Sequence, residues 1–180
     1  MYICIDPGIT FCSIVVVNDE EKFDVVESQL VNNSRVFDAE YKELEKIHGT
    51  RTTKILKIVH RLQEAIDKYG IDTLIVEAPF YSSRTPAAYA SLLEVVLSIR
   101  YLIVMPGKMN MTLIEPTAVK KMFTGKGNAT KDMMKEFLIT RMADKEISIP
   151  VDIETLSEHE IDGIAVGFTH WLNKQTTKKG

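Results

Sequence analysis

Residues 1–31 hold three strand-like runs and no helical one, and every strand-like run after them is preceded by a helical pattern. Tyr2–Ile5 and Phe11–Val17 are apolar stretches rich in Ile and Val on either side of the turn residues Pro7 and Gly8. Lys22–Val31 (KFDVVESQLV) completes a meander. Strands joined by tight turns run antiparallel, whereas strands reached through a crossover helix run parallel. The order read along the chain, βββαβαβααα, therefore predicts one α/β domain over residues 1–180. Its centre is a mixed five-stranded sheet, three strands antiparallel and then two parallel, flanked by helices.

The later elements are read in the same way. Asn32–Thr50 is polar and acidic with no clean period and reads as a surface excursion carrying a short helix at Glu40–Ile47. Ile55, Ile58, Val59, Leu62 and Ile66 mark a helix with one apolar face, stopped by Gly70. Thr73–Glu77 reads as a buried strand. Pro86–Met105 reads as a helix apolar on more than one face, which needs two surfaces to bury against: as the central helix of a monomer, or with a second subunit covering one side. Met111–Glu115 is a further strand and Thr117–Phe123 a short helix. Thr130–Ala143 is a helix with Met133, Met134, Phe137, Leu138 and Met142 inward. In the last helix the spacing of Ser157 and Glu160 fits a capping box, and Ile161, Ile164, Ala165, Phe168 and Leu172 form the buried stripe.

Charge is distributed unevenly. The net charge is −3, but residues 100–141 carry eight basic side chains against three acidic ones, leaving the remainder at −8. Such a map fits one anion-binding face on an acidic body, and equally a solvated basic helix face. Cys4 and Cys12 lie on the two opening strands, where they could face each other across the hairpin, and read as buried free thiols. No run reads as a membrane span and no basic leader precedes the first apolar run, so a cytoplasmic protein is expected.

Two strands end on carboxylates, Asp6 and Glu77, while the last helix offers His159 and Asp162 at i and i+3, on one side of its first turns. Each has an ordinary explanation alone: a turn hydrogen bond for Asp6, a rim charge for Glu77, a cap for His159, the helix dipole for Asp162. Together, if the strands are neighbours and the helix crosses their ends, they make an oxygen-rich set suited to Mg²⁺ or Mn²⁺. Two such ions roughly 3.5–4 Å apart support phosphodiester hydrolysis. Glu158, four residues before Asp162, is a rival ligand.

Ile5–Gly8 (IDPG), Glu77 with Phe80 three residues on, Pro116–Lys120 (PTAVK) leading to Gly125-Lys126-Gly127 and Lys131, and His159–Ala165 (HEIDGIA) resemble, in order and spacing, the RuvC-type Holliday-junction resolvases. The resemblance spans nearly the whole chain. It implies an RNase H-like fold, a homodimer and metal-dependent nicking of four-way DNA junctions by a two-ion site. It further implies that Asp6, Glu77, His159 and Asp162 hold the metal, that Lys120 and Lys131 contact phosphate beside the scissile strand with Lys126 in the basic loop between them, and that Phe80 wedges against a base. The chain departs from the family in its longer, acidic Asn32–Thr50 connection and its overall acidity, which leaves a broader preference for forks, flaps or three-way junctions open. A non-catalytic DNA-structure binder and a phosphate-binding ATPase of the sugar-kinase type are the other classes compatible with the opening strands.

Overall fold

A computed structural model describes residues 1–34 and 39–177. The strands are β1 (Tyr2–Asp6), β2 (Phe11–Asn18), β3 (Phe23–Asn32), β4 (Thr73–Glu77), β5 (Asn110–Ile114) and β6 (Ile147–Ser148). The helices are α1 (Ala39–Tyr69), α2 (Pro86–Ile99), α3 (Met105–Gly107), α4 (Pro116–Thr124), α5 (Lys131–Ala143) and α6 (Glu158–Thr177). One π turn (Arg100–Val104) links α2 to α3, and a 3₁₀ turn (Ile153–Thr155) precedes α6.

The sheet order is β5-β4-β1-β2-β3-β6. β1 pairs antiparallel with β2 and parallel with β4, and β4 pairs parallel with β5, as the connections require. The sheet has six strands instead of the expected five. Ile147 and Ser148 run parallel to Phe23 and Asp24 and are too few to leave a periodic signal. Strand alternation splits the core. Ile3, Ile5, Ile14 and Val76 face α1 and α2, whereas Tyr2, Cys4, Val15 and Ile75 face α4, α5 and α6.

Four further expectations need correction. Cys4 lies opposite Val15 and Cys12 opposite Val31, and the two thiols point to opposite faces of the sheet. The Pro86–Gly107 segment, at 22 residues, is long and apolar enough to cross a bilayer, although Val95, Val96, Ile99, Ile103 and Val104 are spent on the core. It is also one α-helix only as far as Ile99, because the π turn follows.

The last correction concerns Asn32–Thr50, of which residues 35–38 lie outside the described residues. The short helix expected at Glu40–Ile47 is present, but it starts at Ala39 and forms the first arm of α1, which breaks at Gly49 (φ 78°). The Tyr41 ring lies 5.8 Å from that of His60. Nineteen residues of unbroken helix would separate them by about 28 Å. The chain therefore reverses at Gly49, and α1 is a helical hairpin. Arg51, just past the reversal, donates to Glu94 Oε2 (2.6 Å) and Ser91 Oγ (3.2 Å) and so ties the hairpin to α2.

Candidate active site

Asp6 is the last residue of β1 and is buried. The chain turns back immediately because residue 8 has no side chain: a Cβ there would sit 2.1 Å from the Phe11 carbonyl oxygen. β4 runs alongside with Ile5 level with Val76, so the next step of the register sets Asp6 beside Glu77. The Ala78 N–H then bonds the Ile114 carbonyl (2.8 Å), pairing the strand end with β5.

α6 packs on the sheet face that carries Cys4 and Val15, with its first turns at the ends of these strands and Gly167 back beside Cys4 and Tyr2. It lies flush on β2 because Gly163 offers no Cβ, which would stand 2.3 Å from Ser13 Oγ. Its start is fixed by the expected capping box: Ser157 N–H and Oγ donate to Glu160 Oε2 (3.0 and 2.8 Å), and the Glu160 N–H returns a bond to Ser157 Oγ (3.2 Å). Glu160 has a second role that the sequence did not disclose. Its Oε1 accepts from Ser28 Oγ on β3 at 2.9 Å, which rivets the helix start to the sheet. His159 and Asp162 flank that rivet.

His159 Nδ1 lies 2.8 Å from Asp6 Oδ2. That hydrogen bond raises the imidazole's pKa, against the opposing effect of burial. The ring itself stacks on Phe11 at 5.3 Å and 21° between planes. Burial, then the charges of Asp6 and Asp162, push the Glu77 carboxyl up to about 8, with Lys120 pulling the other way. Burial and Asp6 push Asp162 up to about 6, opposed by Lys120, His159 and Lys131. Three carboxyl groups thus share a half-buried space with too little positive charge to compensate them.

The remaining predicted residues fall around this centre. Lys120 on α4 and Lys131 at the start of α5 both act electrostatically on Asp162. Lys126 is exposed in the connection between those helices, its backbone N–H bonded to Thr124 Oγ1. Phe80 is 56% exposed, three residues past Glu77. Glu158, the rival ligand, is exposed and paired with the Lys131 ammonium, which lowers its pKa. As the side chains stand, no group of three or more acidic, imidazole or thiol side chains among the described residues is arranged to hold an ion. Asp6 Oδ2 is engaged by His159 instead.

A meander continued by parallel strands, with acids on the ends of two adjacent strands and on the first turns of a helix packed against the sheet, is the layout of an RNase H-like fold. The chain belongs to the family of the crossover junction endodeoxyribonuclease RuvC, whose model matches residues 2–170. It is accordingly a junction-cleaving endodeoxyribonuclease, and membership implies dependence on a divalent metal ion.

Solved structures agree on the fold. Thermus thermophilus RuvC in complex with Holliday junction substrate is 19% identical with a TM-score of 0.65, covering 98% of this chain and 95% of that one. The yeast mitochondrial Holliday junction resolvase Ydc2 is 11% identical (TM-score 0.62; 98% and 82% covered). The Fowlpox virus resolvase, solved with Holliday junction DNA, is 10% identical (TM-score 0.59; 96% and 99%). No curated protein sequence matches.

Proposed function

We propose that two copies of this chain bind a four-way DNA junction and nick two of its strands at sites built from Asp6, Glu77, His159 and Asp162, each site holding two Mg²⁺ or Mn²⁺ ions. The observation that carries the reading is the half-buried meeting of three carboxyl groups, two of them raised to about 8 and about 6 by burial and mutual repulsion. A hard divalent cation would relieve that repulsion and favours oxygen-rich ligation, which the three carboxyl groups supply, with the His159 imidazole as a borderline fourth donor. When bound, the ions activate a water and stabilise the leaving oxygen of the phosphodiester.

The protein's own contribution is positioning. His159 holds the Asp6 carboxylate in place through their 2.8 Å hydrogen bond, and both side chains would be ligands to a bound ion. Lys120 and Lys131 take the phosphates flanking the cut, Lys131 leaving Glu158 to do so, and Lys126 extends that cationic strip along its exposed loop. Phe80 offers its uncovered ring to a base at the branch point, where stacking is sequence-tolerant. The pairing of copies is supported by α2 and the π turn that follows it, where Leu93 and Leu97 of the helix and Tyr101 and Leu102 of the turn line an apolar depression of about 520 Å³. The two buried free thiols, Cys4 and Cys12, suit a reducing compartment such as the cytoplasm.

The test is nicking of an end-labelled four-way junction with and without Mg²⁺ or Mn²⁺, run beside forks, flaps and three-way junctions, with ATP turnover as the control. Metal-dependent, paired nicks in the four-way junction are expected, together with loss of nicking but not of binding in Asp6→Asn, Glu77→Gln and Asp162→Asn. Nicking retained in any two of these variants overturns the site. Faster cutting of forks or flaps replaces the junction as substrate.

A further inference from the structure

Beside the acidic centre lies a depression of about 300 Å³ that the reading above leaves unused. It opens between the β1–β2 turn and the first turns of α2. Ile9, Phe11 and Leu92 supply its apolar walls, His159 one side, and the hydroxyls of Thr10 and Ser91 its polar atoms. We propose that this slot receives one unstacked nucleobase of the strand being cut, and that Phe11 is the ring on which the base is sorted.

Three observations support the assignment, which rests on the nuclease reading of the neighbouring carboxylates. The first is position. His159 touches both sites, bonded to Asp6 at 2.8 Å through Nδ1 and stacked on Phe11 at 5.3 Å. A phosphate at the carboxylates therefore places its own nucleotide, or the next one, within reach of the slot, since consecutive nucleotides are only about 3.4 Å apart per strand when stacked and further apart when splayed. The second is chemistry. A flat, mostly apolar slot with an aromatic ring and a few hydroxyls matches a base, which has an apolar face and a hydrogen-bonding edge. The third is rigidity. Ser91 Oγ donates to the Ala87 carbonyl (3.0 Å) and accepts from the Arg51 guanidinium (3.2 Å), so that wall is fixed before any ligand arrives. Phe11 is itself held between the turn that Gly8 permits and the His159 ring. A slot prebuilt in this way turns base identity next to the cut into a difference in rate.

The experiment combines a missing base with a missing ring. Abasic sites are placed one at a time at the three nucleotides on each side of the cut in a four-way junction, and initial nicking rates in Mn²⁺ are measured for the wild type, Phe11→Ala and Phe11→Leu. One abasic position is expected to slow the wild type roughly five- to hundredfold, the range spanned by base–aromatic stacking. The same position is expected to leave Phe11→Ala unaffected, and nick positions on a sequence-randomised junction should spread in that variant. Phe11→Leu, which keeps apolar volume without the ring, should fall between. Wild-type indifference to all six abasic positions overturns the slot, as does multiplication of the ring and base effects. If Phe11→Ala fails to fold, the wild-type scan and Phe11→Leu decide the matter. A wild type that nicks no branched DNA at all removes the nuclease reading and the slot with it, whereas normal nicking with no base effect removes the slot alone.

Discussion

At the scale of single residues the centre stores unfavourable electrostatics. Burial and the neighbouring carboxylates push the Glu77 carboxyl up to about 8 in the folded protein, far above its ordinary value, and burial with Asp6 pushes Asp162 up to about 6. A carboxyl raised by folding makes the native state bind more protons than the unfolded chain, so stability falls as pH climbs from the ordinary carboxylate range through the folded value. Glu77→Gln should therefore stabilise the chelator-treated protein by about 1–3 kcal/mol at pH 8.5 and by almost nothing at pH 4. Thermal melts across that range check this, and a variant whose advantage does not grow with pH contradicts it. The sequence singled out four side chains that the fold brings close together, because their types and spacing are informative without coordinates. It could not choose between His159 and Glu158, which differ by one position on the same helix. The structure turns the first to Asp6 and pairs the second with Lys131. Glu158→Ala should accordingly keep metal-dependent nicking within about threefold of the wild type, whereas His159→Asp should narrow the preference for Mn²⁺ over Mg²⁺, because an imidazole nitrogen suits Mn²⁺ better and a carboxylate suits Mg²⁺. Rates against the concentration of each metal separate the two.

At the scale of elements, the site depends on how α6 meets the sheet. Its capping box was legible from Ser157 and Glu160, since that signal is local. The bond from Ser28 to Glu160 was not, because it joins residues 132 apart and only strand pairing brings them together. Phe11 was invisible for the same reason: as one apolar residue in an apolar strand, it gains meaning only from the His159 ring across it. Glu160→Ala removes the acceptor of three bonds and should lower stability by about 1–3 kcal/mol. It should also weaken Mn²⁺ binding, whereas Ser28→Ala, which removes one of the three, should do both to a smaller degree. Chemical denaturation and metal titration measured on the same samples test the link. The reversal at Gly49 escaped the sequence reading because a polar hairpin helix carries a faint period, and β6 escaped because two residues have none.

At the scale of the whole molecule, the expected mixed sheet, its strand directions and the family were all readable, because connection type dictates strand direction and the motifs are spread along the chain. The extent of the outer face of α2 was not, since a helix apolar all round looks alike whether one side or both are covered. With Tyr101, Leu102 and Met105 each more than half exposed beside Leu97, Leu97→Glu should convert a micromolar dimer to monomers and suppress paired nicking while single nicks persist. Mass measurement across concentration, with denaturation to confirm folding, decides it. The central position of β1 has a further consequence, for time rather than structure. All five of its residues are buried, and it is bonded to β2 on one edge and β4 on the other. Its amide protons should exchange with deuterium only when the entire molecule unfolds, at one shared free energy, while those around Phe80 and Lys126 exchange orders of magnitude sooner. Asp6, at the heart of the proposed site, should thus be carried by the slowest-opening part of the protein, so that whatever moves during a catalytic cycle would move around it.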